Sequence, residues 1–183
     1  MRLFIAVDLN DSARKNISDI ISRLKKKDFD VKWVNPENIH ITLKFLGEVN
    51  ENDMKGLENI ISGSVKDVKK FKINISKAGY FGKGNYVKVV WVDIREGRDI
   101  LVQLSRKFNK ELTHIRREER EPSPHITIGR VRSGRNVHEL INEVEGLSDV
   151  KVGEVEVNDI KLKQSVLKPD GPIYIDLKTF ELQ

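Results

Sequence analysis

The segments Ile39-His40-Ile41-Thr42-Leu43 and Pro124-His125-Ile126-Thr127-Ile128 share the pattern His-Ile-Thr-aliphatic and stand almost half a chain length apart in the 183-residue sequence. The chain contains four histidines, and two of them carry threonine two positions later. Chance gives such a coincidence in only about a few chains per thousand, so the repetition is informative. It predicts a fold with two related halves, each presenting one His-Thr pair.

Each repeat is rich in β-branched residues and is predicted to form a strand. Side chains along a strand alternate between its faces, so His40 and Thr42 share one face, and His125 and Thr127 share one face. The aliphatic residues between and beside them face the opposite way and anchor each strand in a core. We therefore expect both His-Thr pairs to sit on a rigid platform, facing one another across a groove.

Strict alternation also makes predictions for the residues that follow each repeat. It places Lys44 on the face of His40, where it could meet phosphate, and turns Phe45 away with the aliphatic residues. It likewise turns Arg130 away from Thr127, toward the rim of the cleft or a salt bridge. Weaker candidates are aromatic residues that could stack on bases or simply pack (Phe4, Trp91, Tyr174) and basic residues that could line a groove for an RNA backbone (Arg130, Arg132, Lys161, Lys163).

The rest of the chain alternates between strand and helix patterns. Period-two segments predict strands over 2–8, 31–34, 39–46, 71–81, 86–94, 124–131 and 173–182, with one or two more over 150–166. Helical spacing of apolar residues predicts four helices, one beginning near residues 10–12 and the others over 52–65, 99–112 and 137–147. Intermixed elements with hairpin-like neighbours predict an α+β fold with a mainly antiparallel sheet.

The composition is that of a globular, highly charged protein. Hydrophobic residues make up 38% and charged residues 33%, and the net charge is +5. This charge suits an anionic partner such as a nucleic acid, although ordinary basic proteins share it. The absence of cysteine excludes disulfides, thiolate metal sites and cysteine nucleophiles. No apolar run approaches the ~18 residues of a membrane span, and residues 2–8 resemble a strand more than a leader peptide, so we expect a cytoplasmic protein.

Two imidazoles and two hydroxyls suit in-line displacement at a phosphodiester. One neutral imidazole can take a proton from water while an imidazolium gives a proton to the departing oxygen. Threonine hydroxyls can donate hydrogen bonds to the non-bridging phosphate oxygens. A zinc site from His40 and His125 would need a third ligand, and neither repeat carries one at ligand spacing. His114 and His138 lack the pattern and are expected at the surface.

The paired H-x-T-x motifs resemble those of the two-histidine phosphoesterases, and within them the archaeal and bacterial RNA 2′,3′-cyclic phosphodiesterases, also called 2′-5′ RNA ligases. The resemblance spans the chain and includes residues 2–7, 40–47, 124–130, 162–167 and 171–174. It implies one two-lobed domain over residues 1–183. In that pseudo-symmetric fold, duplicated antiparallel sheets carry helices outside and enclose a central cleft.

The resemblance also implies an activity. This is hydrolysis of a terminal 2′,3′-cyclic phosphate on RNA to a 2′-phosphomonoester, together with reversible, ATP-independent 2′-5′ joining of RNA ends, tRNA halves among them. His40 would be the general acid and His125 the general base, with Thr42 and Thr127 binding the phosphate. The resemblance implies no metal or cofactor. We expect a monomer that acts on RNA and does not contact membranes.

Two alternatives stay open at the level of sequence. The same groove could bind RNA ends without turnover, or it could act on small nucleotides such as ADP-ribose cyclic phosphate. Two intact His-Thr pairs favour an enzyme, because pure binding of phosphate would more naturally use arginine and lysine.

Overall fold

The predicted strands and helices are all present, with ends shifted by a few residues. The computed structural model describes residues 1–183. The strands are β1 (Arg2–Asp8), β2 (Val31–Trp33), β3 (His40–Glu48), β4 (Phe71–Lys83), β5 (Tyr86–Ile94), β6 (Ile126–Val131), β7 (Lys151–Val157), β8 (Asp159–Lys168) and β9 (Gly171–Glu181). The helices are α1 (Asp11–Lys25), α2 (Met54–Val65), α3 (Arg98–Glu111) and α4 (Val137–Glu145).

Local sequence explains where α1 begins and which side it buries. The side chain of Asn10 accepts a hydrogen bond from the Ala13 amide at 2.8 Å, which caps the free end of the helix. The apolar residues that recur at helical spacing along α1 are its buried ones. None of the four helices is long and apolar enough to cross a membrane.

The strands form an antiparallel sheet in the order β7-β4-β5-β6-β3-β1-β8-β9, with β2 paired to β6. The order is symmetric about its centre, because β5 flanks β6 in one half as β1 flanks β3 in the other. The two halves meet through a single pair of Cα partners, Ile41 and Ile126. This arrangement confirms the predicted α+β fold with two related antiparallel lobes.

One hydrophobic cluster of 41 buried residues draws on both halves and lies between the sheet and the helices. The aliphatic residues of both repeats belong to it, and Ile41, Ile126 and Ile128 are completely buried. The opposite face of the central strands is left for the groove. The extent of the domain, one two-lobed unit over residues 1–183, stays a prediction.

A β-bulge in β3 overturns the strict alternation expected after the first repeat. The register of β3 against β1 slips by one residue after Thr42, so Leu43 and Lys44 are both buried in succession. Phe45 is consequently 49% exposed, on the face of the sheet that carries Thr42. The predicted orientations of Lys44 and Phe45 are therefore wrong. Lys44 is the buried residue, and Phe45 lies on the face of Thr42.

The second repeat contains the same irregularity. The register of β6 against β5 slips by one residue after Thr127, and Ile128 and Gly129 are both buried. Arg130 is exposed, in the position that Phe45 occupies in the other half. The prediction that Arg130 faces away from Thr127 is also wrong, because a bulge resets the period of two.

Candidate active site

The two His-Thr pairs lie side by side at the centre of the sheet. The single pairing between β3 and β6 falls one residue beyond each histidine. In an antiparallel register this sets His40 across from Thr127, and Thr42 across from His125. His40 and His125 are then diagonal neighbours in a four-residue cluster, and the backbone positions of such neighbours are about 7–8 Å apart. That spacing suits a phosphate group held between them.

His40 has a defined tautomer. Its Nδ1 lies 2.7 Å from the carbonyl oxygen of Asn38, and because a carbonyl only accepts, Nδ1 carries the proton of the neutral ring. Its Nε2 lies 2.9 Å from the hydroxyl of Thr42, which donates to it when the ring is neutral. Burial lowers the pKa of His40 from 6.5 to about 4, and the nearby ammonium of Lys163 adds to this effect.

His125 repeats this arrangement in the other half. Its Nδ1 donates to the carbonyl oxygen of Ser123 at 2.7 Å, so the neutral ring presents a bare Nε2 to the cleft. Burial lowers its pKa as well, and the positive charges of Arg130 and Arg98 act in the same direction. Both histidines therefore commit Nδ1 to a backbone carbonyl and favour the neutral form in the ligand-free protein, but Nε2 of His40 is occupied by the Thr42 hydroxyl.

Aromatic side chains fix the orientation of both imidazoles. The ring of His40 lies 5.0 Å from that of Phe4 and meets Tyr174 edge-on at 5.2 Å. The ring of His125 meets Phe81 edge-on at 4.8 Å. Phe4 is only 2% exposed, so it packs and does not stack on bases. Trp91 also packs, with its ring 5.3 Å from that of Phe81.

A cleft of about 700 Å³ opens beside these residues and has both Thr42 and His125 on its wall. Phe45 and Phe81, which are 49% and 37% exposed, line the same cleft. Both rings therefore present aromatic surface to the cleft. The sequence had not singled out either residue for this role, because the exposure of Phe45 depends on the bulge.

The basic candidates divide into those that are free and those that are already paired. Lys161 and Lys163 form ion pairs with Asp8 and Asp176 at 2.5–3.0 Å, so both ammonium groups already have carboxylate partners, and their role in lining an RNA groove stays a prediction. Arg130 makes no ion pair and lines a pocket of about 170 Å³ together with Tyr174.

Lys44 is also engaged, and it lies on the helix side of the sheet. Its Nζ donates to the side-chain oxygen of Asn109 at 2.9 Å and to the carbonyl of Arg116 at 3.0 Å. Lys44 is only 4% exposed and ties β3 to the loop after α3, although it also lines the cleft beside Thr42, and its contact with phosphate stays a prediction. Arg132 is exposed, and its contact with RNA stays a prediction.

The remaining histidines and the acidic residues form no further site of this kind. His114 and His138 are exposed, as predicted. No three His, Asp or Glu side chains come together in a geometry that could hold a metal ion. The zinc site considered for His40 and His125 therefore has no third ligand.

Two duplicated antiparallel lobes meet at a pair of His-Thr motifs. In both motifs the neutral imidazole donates from Nδ1 to a backbone carbonyl. This arrangement is typical of the two-histidine phosphoesterases. The family described as LigT like Phosphoesterase matches the chain twice, over residues 7–91 and 92–174. The chain belongs to this family. Each of the two matched ranges contains one His-Thr repeat, in agreement with the symmetric strand order.

Relatives and solved structures extend the similarity over the whole chain. A protein of Methanothermobacter thermautotrophicus named RNA 2′,3′-cyclic phosphodiesterase is 39% identical, and the alignment covers 100% of this chain and 99% of that protein. A protein of the same name in Archaeoglobus fulgidus is also 39% identical, over 99% of this chain and 100% of that protein. The crystal structure of LigT from E. coli complexed with 3′-AMP superposes with a TM-score of 0.79 at 25% identity, covering 99% of this chain and 97% of that one. The crystal structure of TT0787 from Thermus thermophilus has the same fold, with a TM-score of 0.82 at 24% identity over 100% and 98% of the two chains.

Proposed function

We propose that this phosphoesterase hydrolyses the 2′,3′-cyclic phosphate at the end of an RNA to a 2′-phosphomonoester. The observation that carries the proposal is the diagonal placement of two imidazoles whose Nδ1 atoms are both committed to backbone carbonyls. A phosphate bound between the two strands would then have one Nε2 atom on each side. The names of the relatives in Methanothermobacter thermautotrophicus and Archaeoglobus fulgidus support RNA as the substrate.

The chemical step moves one proton at each histidine. His125 accepts a proton from water at Nε2 as the water oxygen attacks phosphorus. The bond between phosphorus and the 3′ oxygen breaks on the opposite side, and His40 gives its Nε2 proton to that oxygen. The phosphate stays on the 2′ oxygen, and the next turnover requires one proton to pass from His125 to His40 through solvent.

The threonines stabilise the charge that develops on the non-bridging oxygens. Thr127 can donate to phosphate directly. Thr42 donates to Nε2 of His40 while that ring is neutral. Once His40 is protonated, its Nε2 can no longer accept a hydrogen bond. The hydroxyl of Thr42 is then free to donate its hydrogen bond to the phosphate. Protonation of the acid and binding of the anion therefore favour each other.

The low pKa of His40 fits this coupling. In the ligand-free protein, burial keeps the ring neutral. A phosphate anion between the rings favours the imidazolium form by Coulomb attraction and raises the pKa of both histidines. The general acid is thus charged when its substrate is present.

Joining of RNA ends follows from the same geometry. A 5′-hydroxyl in place of water would attack the cyclic phosphate and form a 2′-5′ linkage without ATP, because the P–O3′ bond that breaks is exchanged for the one that forms. Arg130, exposed and unpaired beside the site, is the cation we assign to the RNA backbone. Action on tRNA halves, a monomeric state and a cytoplasmic location stay predictions.

The assay that tests the function uses an RNA oligonucleotide ending in 2′,3′-cyclic phosphate, incubated in excess EDTA. We expect complete conversion to the 2′-phosphate, identified against 2′- and 3′-phosphate standards, because protons do the work that a Lewis acid would otherwise do. Binding without any product would favour the RNA-end-binding alternative. Turnover of ADP-ribose cyclic phosphate but not of RNA would favour the small-nucleotide alternative.

The pH dependence should report the lowered pKa values. The profile of kcat/KM reflects the free enzyme, so we expect a bell with its optimum below the ordinary histidine pKa of 6.5. Lower pH protonates the base, and higher pH removes the proton from the acid. The optimum of kcat should lie at higher pH, because bound phosphate raises both pKa values. The two limbs belong to the pair as a whole. A kcat/KM that rises steadily through pH 8 contradicts the mechanism.

A further inference from the structure

Two arginines outside the repeats occupy corresponding places in the two lobes. Arg14 stands in the first turn of α1, which follows β1, and Arg98 begins α3, which follows β5. β1 and β5 are the strands paired with the two histidine strands. Each guanidinium reaches the loop that leads into the nearest histidine. Nothing in the spacing of the repeats predicts either residue.

Arg98 ties the end of β5 to the loop before His125. Its Nη1 donates to the carboxylate of Asp93 and to the carbonyl oxygen of Pro124, both at 2.8 Å. Its Nη2 donates to the hydroxyl of Ser123 at 3.1 Å. The planar guanidinium thus holds side chain and backbone of two consecutive loop residues in one orientation.

Arg14 makes an equivalent connection in the first lobe. Its Nη1 donates to the carbonyl oxygens of Pro36 and Ile39, at 2.8 and 3.2 Å, and its Nη2 to that of Leu9 at 3.4 Å. The guanidinium therefore links the end of β1 to the loop before His40, as Arg98 does for β5. All three acceptors here are backbone carbonyls, whereas Arg98 has a carboxylate partner.

These loops contain the carbonyls that determine the tautomers of the histidines. Ser123 provides the oxygen that accepts from Nδ1 of His125, and Arg98 holds the hydroxyl of this same residue and the carbonyl of the next. Asn38 provides the oxygen for His40, and its neighbour Ile39 is held by Arg14. If such a carbonyl turned away, Nδ1 would lose its acceptor and the proton could move to Nε2. A ring protonated at Nε2 while neutral cannot act as a base through that atom.

We propose that Arg98 and Arg14 are positioning residues, each fixing the loop carbonyl that keeps the neighbouring histidine protonated at Nδ1. The proposal rests on the two-histidine function proposed above. Both guanidinium groups also add positive charge near the rings they position, in keeping with the lowered pKa values of His125 and His40. Both lobes thus contain an arginine that holds the loop before the histidine, in addition to the His-Thr motif.

The test combines ring NMR with kinetics on Arg98→Met and Arg14→Met. Lys110→Met and Arg23→Met are matched controls on the same two helices, because the side chain of Lys110 is exposed and unpaired and that of Arg23 forms only a surface ion pair. In long-range ¹H–¹⁵N spectra recorded above the histidine pKa, we expect Arg98→Met to give His125, and Arg14→Met to give His40, a mixture of Nδ1-H and Nε2-H forms. We expect kcat to fall about 10–100-fold, as misplaced groups cost, with KM changed less than about threefold.

Each outcome decides the proposal. Unchanged ring tautomers together with wild-type kcat in both variants would overturn it, and so would equal losses in the Lys110→Met and Arg23→Met controls. If a methionine variant fails to fold, Arg98→Lys and Arg14→Lys keep the charge without the planar fork and must still shift the tautomer. The ring spectra need no substrate. A tautomer shift in a protein that hydrolyses no cyclic phosphate would therefore uphold the positioning role and refute the proposed function.

Discussion

His125→Ala and His40→Ala should each lower turnover of a 2′,3′-cyclic phosphate RNA by at least ~100-fold, because loss of a general acid or base costs about 10²–10⁴ in rate. His125→Ala removes the acceptor for the proton of water, and His40→Ala removes the donor to the 3′ oxygen. Both side chains lie on the groove face, opposite the residues that form the core. The measurement is kcat on an RNA with a single cyclic end.

Exposed histidines of the same chain provide the controls. His114→Ala and His138→Ala should keep full activity, since both side chains are exposed and neither lines the cleft. The double variant His40→Ala/His125→Ala should lose little more than the weaker single variant, because residues that act as a unit are not additive. Thermal unfolding of each variant separates loss of chemistry from loss of fold. Near-full activity in either single histidine variant would refute the two-histidine mechanism.

Thr42→Val and Thr127→Val should each reduce kcat/KM by roughly 10–150-fold. Valine keeps the β-branched shape and removes the hydroxyl, and a lost hydrogen bond to a charged group costs about 1.5–3 kcal/mol. The pH optimum should stay in place in Thr127→Val, because that hydroxyl contacts no imidazole. Thr42→Val also removes the donor to neutral Nε2 of His40, so its optimum should move to higher pH. The measurement is the full pH profile of kcat/KM for each variant.

Serine variants at the same positions are the matched controls. Thr42→Ser and Thr127→Ser keep the donor and should retain most of the activity. A displaced optimum with an undiminished rate in Thr42→Val would instead mean that this hydroxyl acts on the imidazole it contacts in the ligand-free site. Valine variants as active as the serine variants would remove the threonines from phosphate binding.

Much of the fold was predictable because its signals are local. Period-two and helical apolar spacing arise within one element, so the helices, the strands and the antiparallel class could be predicted from neighbouring residues. The faces of His40, Thr42, His125 and Thr127 were predictable for the same reason. No register change intervenes between the histidine and the threonine of either repeat.

The predictions for Phe45, Lys44 and Arg130 failed just beyond the repeats. In both strands the bulge follows the threonine directly, and a bulge is a property of two paired strands. The sequence of one strand does not show where two of its residues will lie opposite a single residue of the partner strand. The exposure of Phe45 in one lobe and of Arg130 in the other can therefore be recognised only once the register of the paired strands is known.

The sequence by itself determined the class of fold, the two His-Thr pairs and the chemistry that such pairs can perform, because these depend on residue type and short-range period. Tertiary structure decided the rest. The ion pair between Asp8 and Lys163 and the contact of Arg98 with Pro124 join residues far apart in the chain. The tautomers and low pKa values of the imidazoles depend on carbonyls, burial and charges that only folding assembles around them.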